Sequence, residues 1–485
     1  MTEHFSAVVE ARCRQFADRV AVHDVTAEAI SYRSLFAAVL SFAASAQDAG
    51  VKAGDLVAID MADATAGNIL RLALLRLGAT LINGRRSAIA SKFGLEPAWG
   101  FQDAPPEAIY DARDVTVEPG WIRPPARPIP ISGAGALVSS SSGTTGLPKL
   151  RLMTGATLLA RLTRADDRRG APAGPSLIGY RPASSPGFNH FLRCLLAGVA
   201  AVPTRATPAE SLRDIRALGV TDAYLSPFNF NQLLAAVEAD QGPLPLQRIV
   251  VGGGALDPKT AARAEALVGC AVFNTYGSSE TSGIARFQVT RSPDQSGVVG
   301  RVADDMEVKF VQATGMPADP RTGGEIMIRV PPEIQVLNFP GGSPVCDEDG
   351  WVATGDIGQL LADGRLRLTG RKSELLNIGG SKHAPSFFED LAMDQQGIRR
   401  AVAFAVPAGG GTEHVGLAVE VGAGFDLRAF GLRMQHLLGP TYPLQIGVVD
   451  DFATTPAGKV DRRRLGDIFA AAHRERENNI LQKTD

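Results

Sequence analysis

The residues Ser139-Ser140-Ser141-Ser142-Gly143-Thr144-Thr145-Gly146-Leu147-Pro148-Lys149 combine what a polyphosphate needs. Small side chains let backbone N–H groups approach an anion, hydroxyls add donors and a lysine adds charge. The order is not that of the G-x-x-x-x-G-K-[ST] loop: counted from Gly143, the second glycine position holds Pro148. Serine- and glycine-rich stretches are commonly flexible linkers. The fixed T-T-G-x-P-K order directly after the apolar run Ala136-Leu137-Val138 argues for an anion loop instead.

Further segments that suit nucleotide chemistry follow in order. They are Val250-Val251-Gly252-Gly253-Gly254-Ala255-Leu256, Asn274-Thr275-Tyr276-Gly277-Ser278-Ser279-Glu280-Thr281, Thr354-Gly355-Asp356, Gly370-Arg371 and Pro456-Ala457-Gly458-Lys459-Val460-Asp461-Arg462. With the early segments Tyr32-Arg33-Ser34-Leu35 and Leu77-Gly78-Ala79, this succession resembles the adenylate-forming superfamily. That superfamily holds acyl-CoA synthetases, peptide-synthetase adenylation domains and luciferases, and the resemblance runs over nearly the whole chain. One departure is Leu150, where the family usually has glycine.

The resemblance implies an ATP site built from Ser141, Ser142, Gly143, Thr144, Thr145, Gly146 and Lys149 around the phosphates. It places Gly253 and Gly254 beside the adenine and adds Asn274, Thr275, Tyr276, Gly277, Ser278 and Ser279 to the ATP site. Tyr276 offers a ring for adenine, and Glu280 offers carboxylate oxygen to Mg2+. Asp356 accepts from the ribose hydroxyls, and Arg371 donates to ribose or phosphate. Taken singly, each has an ordinary alternative: core tyrosine, surface glutamate, turn aspartate, linker arginine. Lys459 is expected to carry the chemistry with Glu280 and Thr144, because a cation near two converging anions lowers their repulsion.

Two further regions follow from the same likeness. The acid pocket draws on Phe188, Asn189, His190, Ser226, Phe228 and Gly252, a set suited to an aryl or small functionalised acid. Ser185-Pro186 stands where amino-acid-activating members usually carry an aspartate, which argues against an α-amino acid. Ser373 takes the hinge position about which a small domain turns, and Gly379 and Gly380 line a tunnel for a thiol.

The elements that must position these residues read as α/β. Helical periodicity covers 7–18, 32–50 and 64–78, with short apolar strands at 56–59 and 80–82. The alternation continues to about residue 290. Short alternating runs from 298 to 369 look antiparallel, and strands near 400–406 and 415–421 with a helix near 426–438 follow. The expectation is a large N-terminal domain, 1–372, of layered helices and sheets, and a smaller mobile α+β domain, 373–485. A chain of 485 residues exceeds one ordinary core.

Composition narrows the class. The formal net charge of −2 gives no reason to expect nucleic acid or an anionic membrane. No apolar stretch reaches the roughly 20 residues of a membrane span. The N-terminus has no basic segment leading into an apolar run, and the scattered cysteines Cys13, Cys194, Cys270 and Cys346 suit a reducing compartment. With the resemblance, which implies a ligase that uses ATP and Mg2+ to activate a carboxylic acid and passes it to coenzyme A, the reading is such an enzyme in the cytoplasm. The other acceptors are an acyl carrier protein or an amine, and a non-catalytic ATP-binding protein of the same fold is the rival class.

Overall fold

The computed structural model describes residues 4–481 except 24–27, 104–112, 118–120, 122–126, 142–148, 181–183, 241, 254–255, 257, 290–296, 313, 379–380, 384, 408–412, 423, 439–442 and 455–459. The chain forms two compact units, Met1–Val308 with Met327–Ala353, and Lys309–Ile326 with Thr354–Asp485.

The first unit is the α/β layering that the alternation predicts. Its helix Tyr32–Ala49 starts where the Ser31 hydroxyl accepts from Ser34 N–H, and stops at Gly50 with φ 112°. Leu35, Val39, Phe42 and Ala46 recur at helical spacing on its buried face. Burying each large one contributes roughly 1.5–3 kcal/mol. The helix Ala64–Arg76 is buried along nearly its whole length, capped by the Asp63 carboxylate.

Two sheets pack with these helices. In one of seven strands, Leu56–Asp60, Thr80–Asn83, Trp99–Gln102, Asp114–Thr116 and Ala136–Ser141 run parallel. The strand Lys149–Thr154 then returns antiparallel to Ala136–Ser141. In the other sheet, Ala271–Ser278 pairs parallel with Arg248–Gly252 and antiparallel with Ser282–Gln288. The purely parallel alternation thus ends earlier than about residue 290. The tight turn at 278–282 leaves no room for the crossover a parallel pair needs.

The second unit holds the strand pair Trp351–Leu360 and Leu366–Arg371 from Thr354 onward, in the register Asp356 to Arg371. It also holds the strands Ile398–Pro407, Glu413–Val421 and Leu444–Val448 and the helices Pro385–Met393, Leu427–Leu438 and Arg462–Leu481. Its core gathers Phe388, Leu417, Phe430 and Met434, all fully buried. This unit begins earlier than the boundary expected at 372/373. Lys372 pairs with Glu325 at 2.6 Å and Thr354 donates to the Ile326 carbonyl at 2.9 Å, so the antiparallel strands belong with it.

Candidate active site

The hairpin of Ala136–Ser141 and Lys149–Thr154 closes on the phosphate segment. Ser141 faces Lys149, Ser140 faces Leu150 and Ser139 faces Arg151. Ser142, Gly143, Thr144, Thr145 and Gly146 lie outside the described residues, as does the side chain of Ser141. The two strands bring the ends of that segment together. Leu150, the departure from the family pattern, is buried in a small core with Ala58, Ile82, Ile89 and Val138. It packs the strand below the loop. Alternation turns Lys149 and Arg151 to the opposite face from Leu150.

The segments expected at the nucleotide lie on the neighbouring strands Arg248–Gly252 and Ala271–Ser278, with Val251 opposite Asn274 and Gly252 opposite Thr275. Gly253 takes φ 80°, which only glycine adopts without strain, and Gly254 lies outside the described residues. Asn274 and Thr275 are buried and Tyr276 is half-buried. Asn274 Oδ1 is buried with no hydrogen-bond partner among the described residues. After Tyr276 the ladder shifts register at Gly277.

Ser278 to Ser282 form a tight turn that presents Glu280. The Ser278 hydroxyl accepts from Glu280 N–H and Thr281 N–H, both at 3.2 Å, and Ser282 is held in the left-handed region at φ 62°. The Arg161 guanidinium clamps the turn from behind. It donates to the carbonyls of Ser279 at 2.8 Å, Glu280 at 2.9 Å and Ile334 at 2.8 Å. Burial lowers the Arg161 pKa to about 10 against the opposing pull of Glu280, which leaves it a cation at neutral pH. The Glu280 carboxylate accepts from Arg151 Nε at 3.2 Å and from the Ser279 hydroxyl at 3.0 Å. Burial pushes its pKa up, but the Ser279 hydrogen bond, its own backbone N–H and the Arg151 charge outweigh this and hold it below the usual glutamate range.

The expected acid pocket resolves into two kinds of residue. Phe188 lies in the main core, stacked on Phe191 at 6.1 Å and under Arg71. Asn189 follows it, its Oδ1 buried with no hydrogen-bond partner among the described residues. His190 is buried with Nε2 2.7 Å from the Ser176 hydroxyl. Its ring lies 5.0 Å from Tyr224, which lies 4.8 Å from Tyr180. The Tyr180 hydroxyl has the carbonyls of Leu225 and Gly252 within 2.9 and 2.6 Å. A methyl on Gly252 would meet Thr275 Oγ1 at 2.7 Å and the Tyr224 hydroxyl at 3.0 Å. Ser226 accepts from Asn229 N–H at 3.2 Å, while Phe228 is largely exposed.

In the second unit, Asp356 is 7% exposed and its Oδ1 sits 2.8 Å from Arg371 Nε. Gly355, within the strand Trp351–Leu360, precedes it at φ 73°, a conformation that favours glycine. Ser373 lies in the short helical turn Lys372–Glu374. Gly379 and Gly380 lie outside the described residues, between the paired strands Leu376–Ile378 and Ser381–His383. Lys459 also lies outside the described residues. Its segment is closed by pairing of Thr454 with Val460, and Arg462 is tied to Glu389 at 2.8 Å and Glu374 at 3.2 Å.

Arg151, Arg161, Tyr180 and Tyr224 escaped the reading of the sequence. Only Arg151 carried a signal, its place two residues beyond Lys149 on a strand. A separate open pocket of about 640 Å³, lined by Arg329, Cys346, Asp347 and others, contains none of the expected residues.

Comparison with known proteins adds four findings. The family described as AMP-binding enzyme matches residues 99–336. A Streptomyces salicylyl-CoA synthase / salicylate adenylyltransferase is 30% identical over 70% of this chain and 64% of its own length, so the match spans under two thirds of that relative. A salicyl-AMP ligase / salicyl-S-ArCP synthetase of Mycobacterium tuberculosis is 28% identical over 94% of this chain and 89% of its own. ATP-bound MatB of Rhodopseudomonas palustris superposes with a TM-score of 0.80 at 19% identity, over 95% of this chain and 99% of that one.

Proposed function

We propose, for a chain that carries an AMP-binding domain over residues 99–336 and shares the fold of the adenylate-forming enzymes, that it spends ATP to activate a carboxylic acid as an acyl-adenylate. The observation that carries this reading is the contact of Arg151 with Glu280 at 3.2 Å. It joins the strand that begins at Lys149 to the carboxylate of the Tyr276–Glu280 segment, so the phosphate cation and the metal carboxylate share one neighbourhood.

In this reading the segment Ser141 to Lys149 cradles the phosphates. Gly253, Gly254 and Asn274 to Ser279 receive the adenine, and Asp356 takes the ribose hydroxyls with Arg371 beside it. A carboxylate oxygen of the acid attacks the α-phosphorus. The bond from that phosphorus to the oxygen bridging the β-phosphate breaks, and pyrophosphate leaves. Lys459 and Thr144 stabilise the charge that develops there. Glu280, its oxygens fixed by Ser279 and Arg151, is the protein's ligand for the cation. Among the described residues no group of three or more His, Cys, Asp and Glu is placed to hold a metal ion. A single carboxylate suits Mg2+, which takes its other oxygens from phosphates and water. Bound there, Mg2+ neutralises phosphate charge.

The acid is an aryl or small functionalised acid. The His190–Tyr224–Tyr180 ring series supports a flat, compact substrate, and two relatives are named for salicylate. The acceptor is coenzyme A, reached after the small domain turns about Ser373 and brings Gly379 and Gly380 to the acyl group. A carrier protein is the second reading, favoured by the relative named for an ArCP thioester. Among the described residues no helix is long and apolar enough to cross a membrane. The described cysteines are all free, which supports work in a reducing cytoplasm.

Exchange of labelled pyrophosphate into ATP, screened over aryl, fatty and small acids, tests the first half. Exchange driven by aryl acids is expected. ATP binding without exchange for any acid would favour the non-catalytic rival. Chromatography for acyl-CoA tests the second half, and adenylate without thioester would move the acceptor to a carrier protein or an amine.

A further inference from the structure

Arg151 packs against the carboxylate proposed above to hold the cation. Its side chain is 9% exposed, and its cation touches the one carboxylate assigned to Mg2+, itself 18% exposed. Arg151 Nη1 is tethered at 2.6 Å to Asn338 Oδ1 and at 3.4 Å to the Leu150 carbonyl, which fixes the guanidinium in place. Arg151 Nε holds Glu280 Oε1 while the Ser279 hydroxyl holds Oε2. Both carboxylate oxygens are therefore engaged. The arginine supplies the positive charge that a buried carboxylate requires.

We propose that Arg151 is a resident counter-ion that Mg2+ has to displace from Glu280, so that this positioning residue sets the metal requirement of nucleotide binding. The inference rests on the cation role of Glu280 proposed above. The guanidinium acts in two ways. It occupies a lone pair the metal needs, and as a like charge a few ångströms away it opposes the metal's approach. In return it keeps Glu280 ionised and aimed while the site holds no cation. This is a compromise between a well-ordered carboxylate and a tight metal.

The test is calorimetric titration of Mg2+ into the full-length protein saturated with α,β-methylene-ATP, which cannot turn over. In R151Q the half-saturating Mg2+ concentration is expected to fall by roughly tenfold, the order that removing one unit charge at this range produces. R151K keeps the charge that opposes the metal and should stay within about twofold of the wild type. Should R151Q fold poorly, R151M preserves the apolar stem and is expected to behave alike. A merely structural arginine would lower the melting temperature of these variants without tightening metal. An unchanged or weaker Mg2+ response in both neutral variants overturns the proposal, as does equal tightening in R151K. E280Q separates the layers. Wild-type Mg2+ affinity in E280Q removes the carboxylate's cation role and the inference with it. Weakened affinity there, with R151Q unaltered, sinks the inference alone.

Discussion

Asp356 and Arg371 face each other across two antiparallel strands, Oδ1 2.8 Å from Nε, with the carboxylate nearly buried and the guanidinium partly exposed. The strand register alone makes them partners, so the pair exists before any ligand arrives. Asp356→Ala removes the acceptor proposed for the ribose. Loss of hydrogen bonds to a charged group costs about 1.5–3 kcal/mol, which corresponds to an ATP KM higher by roughly ten- to a hundredfold. Steady-state kinetics with varied ATP reads this directly, and an unaltered KM refutes the ribose role.

Lys459→Ala should lower the adenylation rate by several orders of magnitude while nucleotide affinity changes little. A cation placed for the transferring group acts on the transition state more than on the bound ground state. Pyrophosphate exchange measures the rate and calorimetry with α,β-methylene-ATP measures the affinity. Comparable turnover in the variant contradicts the assignment.

At Gly252 the space for a methyl is already taken by Thr275 Oγ1 and the Tyr224 hydroxyl. Thr275 is branched and buried, so it yields little. Gly252→Ala is expected to cost about 1–3 kcal/mol of stability through overpacking. It should also raise the KM for the acid more than that for ATP. Chemical denaturation gives the first quantity and paired substrate titrations the second. Equal effects on both KM values would place Gly252 outside the acid pocket.

Burial pushes the Cys13 thiol up to about 12 and the Cys270 thiol up to about 11, while Cys194 is fully enclosed. The reactive species is the thiolate, so a raised pKa leaves these groups protonated and inert at pH 8. Cys346 is also raised but half-exposed. Titration of the native protein with an aromatic disulfide should modify Cys346 first, with the other cysteines reacting only on unfolding. Rapid labelling of Cys13 in the native state would contradict the packing.

The segments read as nucleotide motifs stand out in the sequence because each is a run of a few adjacent residues. Gly253, Gly355 and the Ser278–Ser282 turn carry their backbone demands in their own residue types. The early helices were equally plain, since the buried positions of Tyr32–Ala49 repeat at the helical period. What escaped was contact between distant parts of the chain. Arg151 meets Glu280 across 129 positions, and Arg161 reaches the Ser279 carbonyl across 118. No local pattern marks an arginine as a clamp. Leu150 shows the same limit from the other side. It departs from the motif around it, and the reason lies in a small apolar cluster drawn from four other segments.

The Tyr180 hydroxyl, set between the Leu225 and Gly252 carbonyls, staples the ends of two neighbouring strands while its ring forms part of the stack proposed to face the acid. The proposed selectivity and the rigidity of the scaffold therefore meet in a single phenol. An engineer who trims this side chain to admit bulkier molecules also releases the frame that holds the bare Gly252. Broadened scope would come with a looser cleft unless a new donor is built in to recapture both carbonyls.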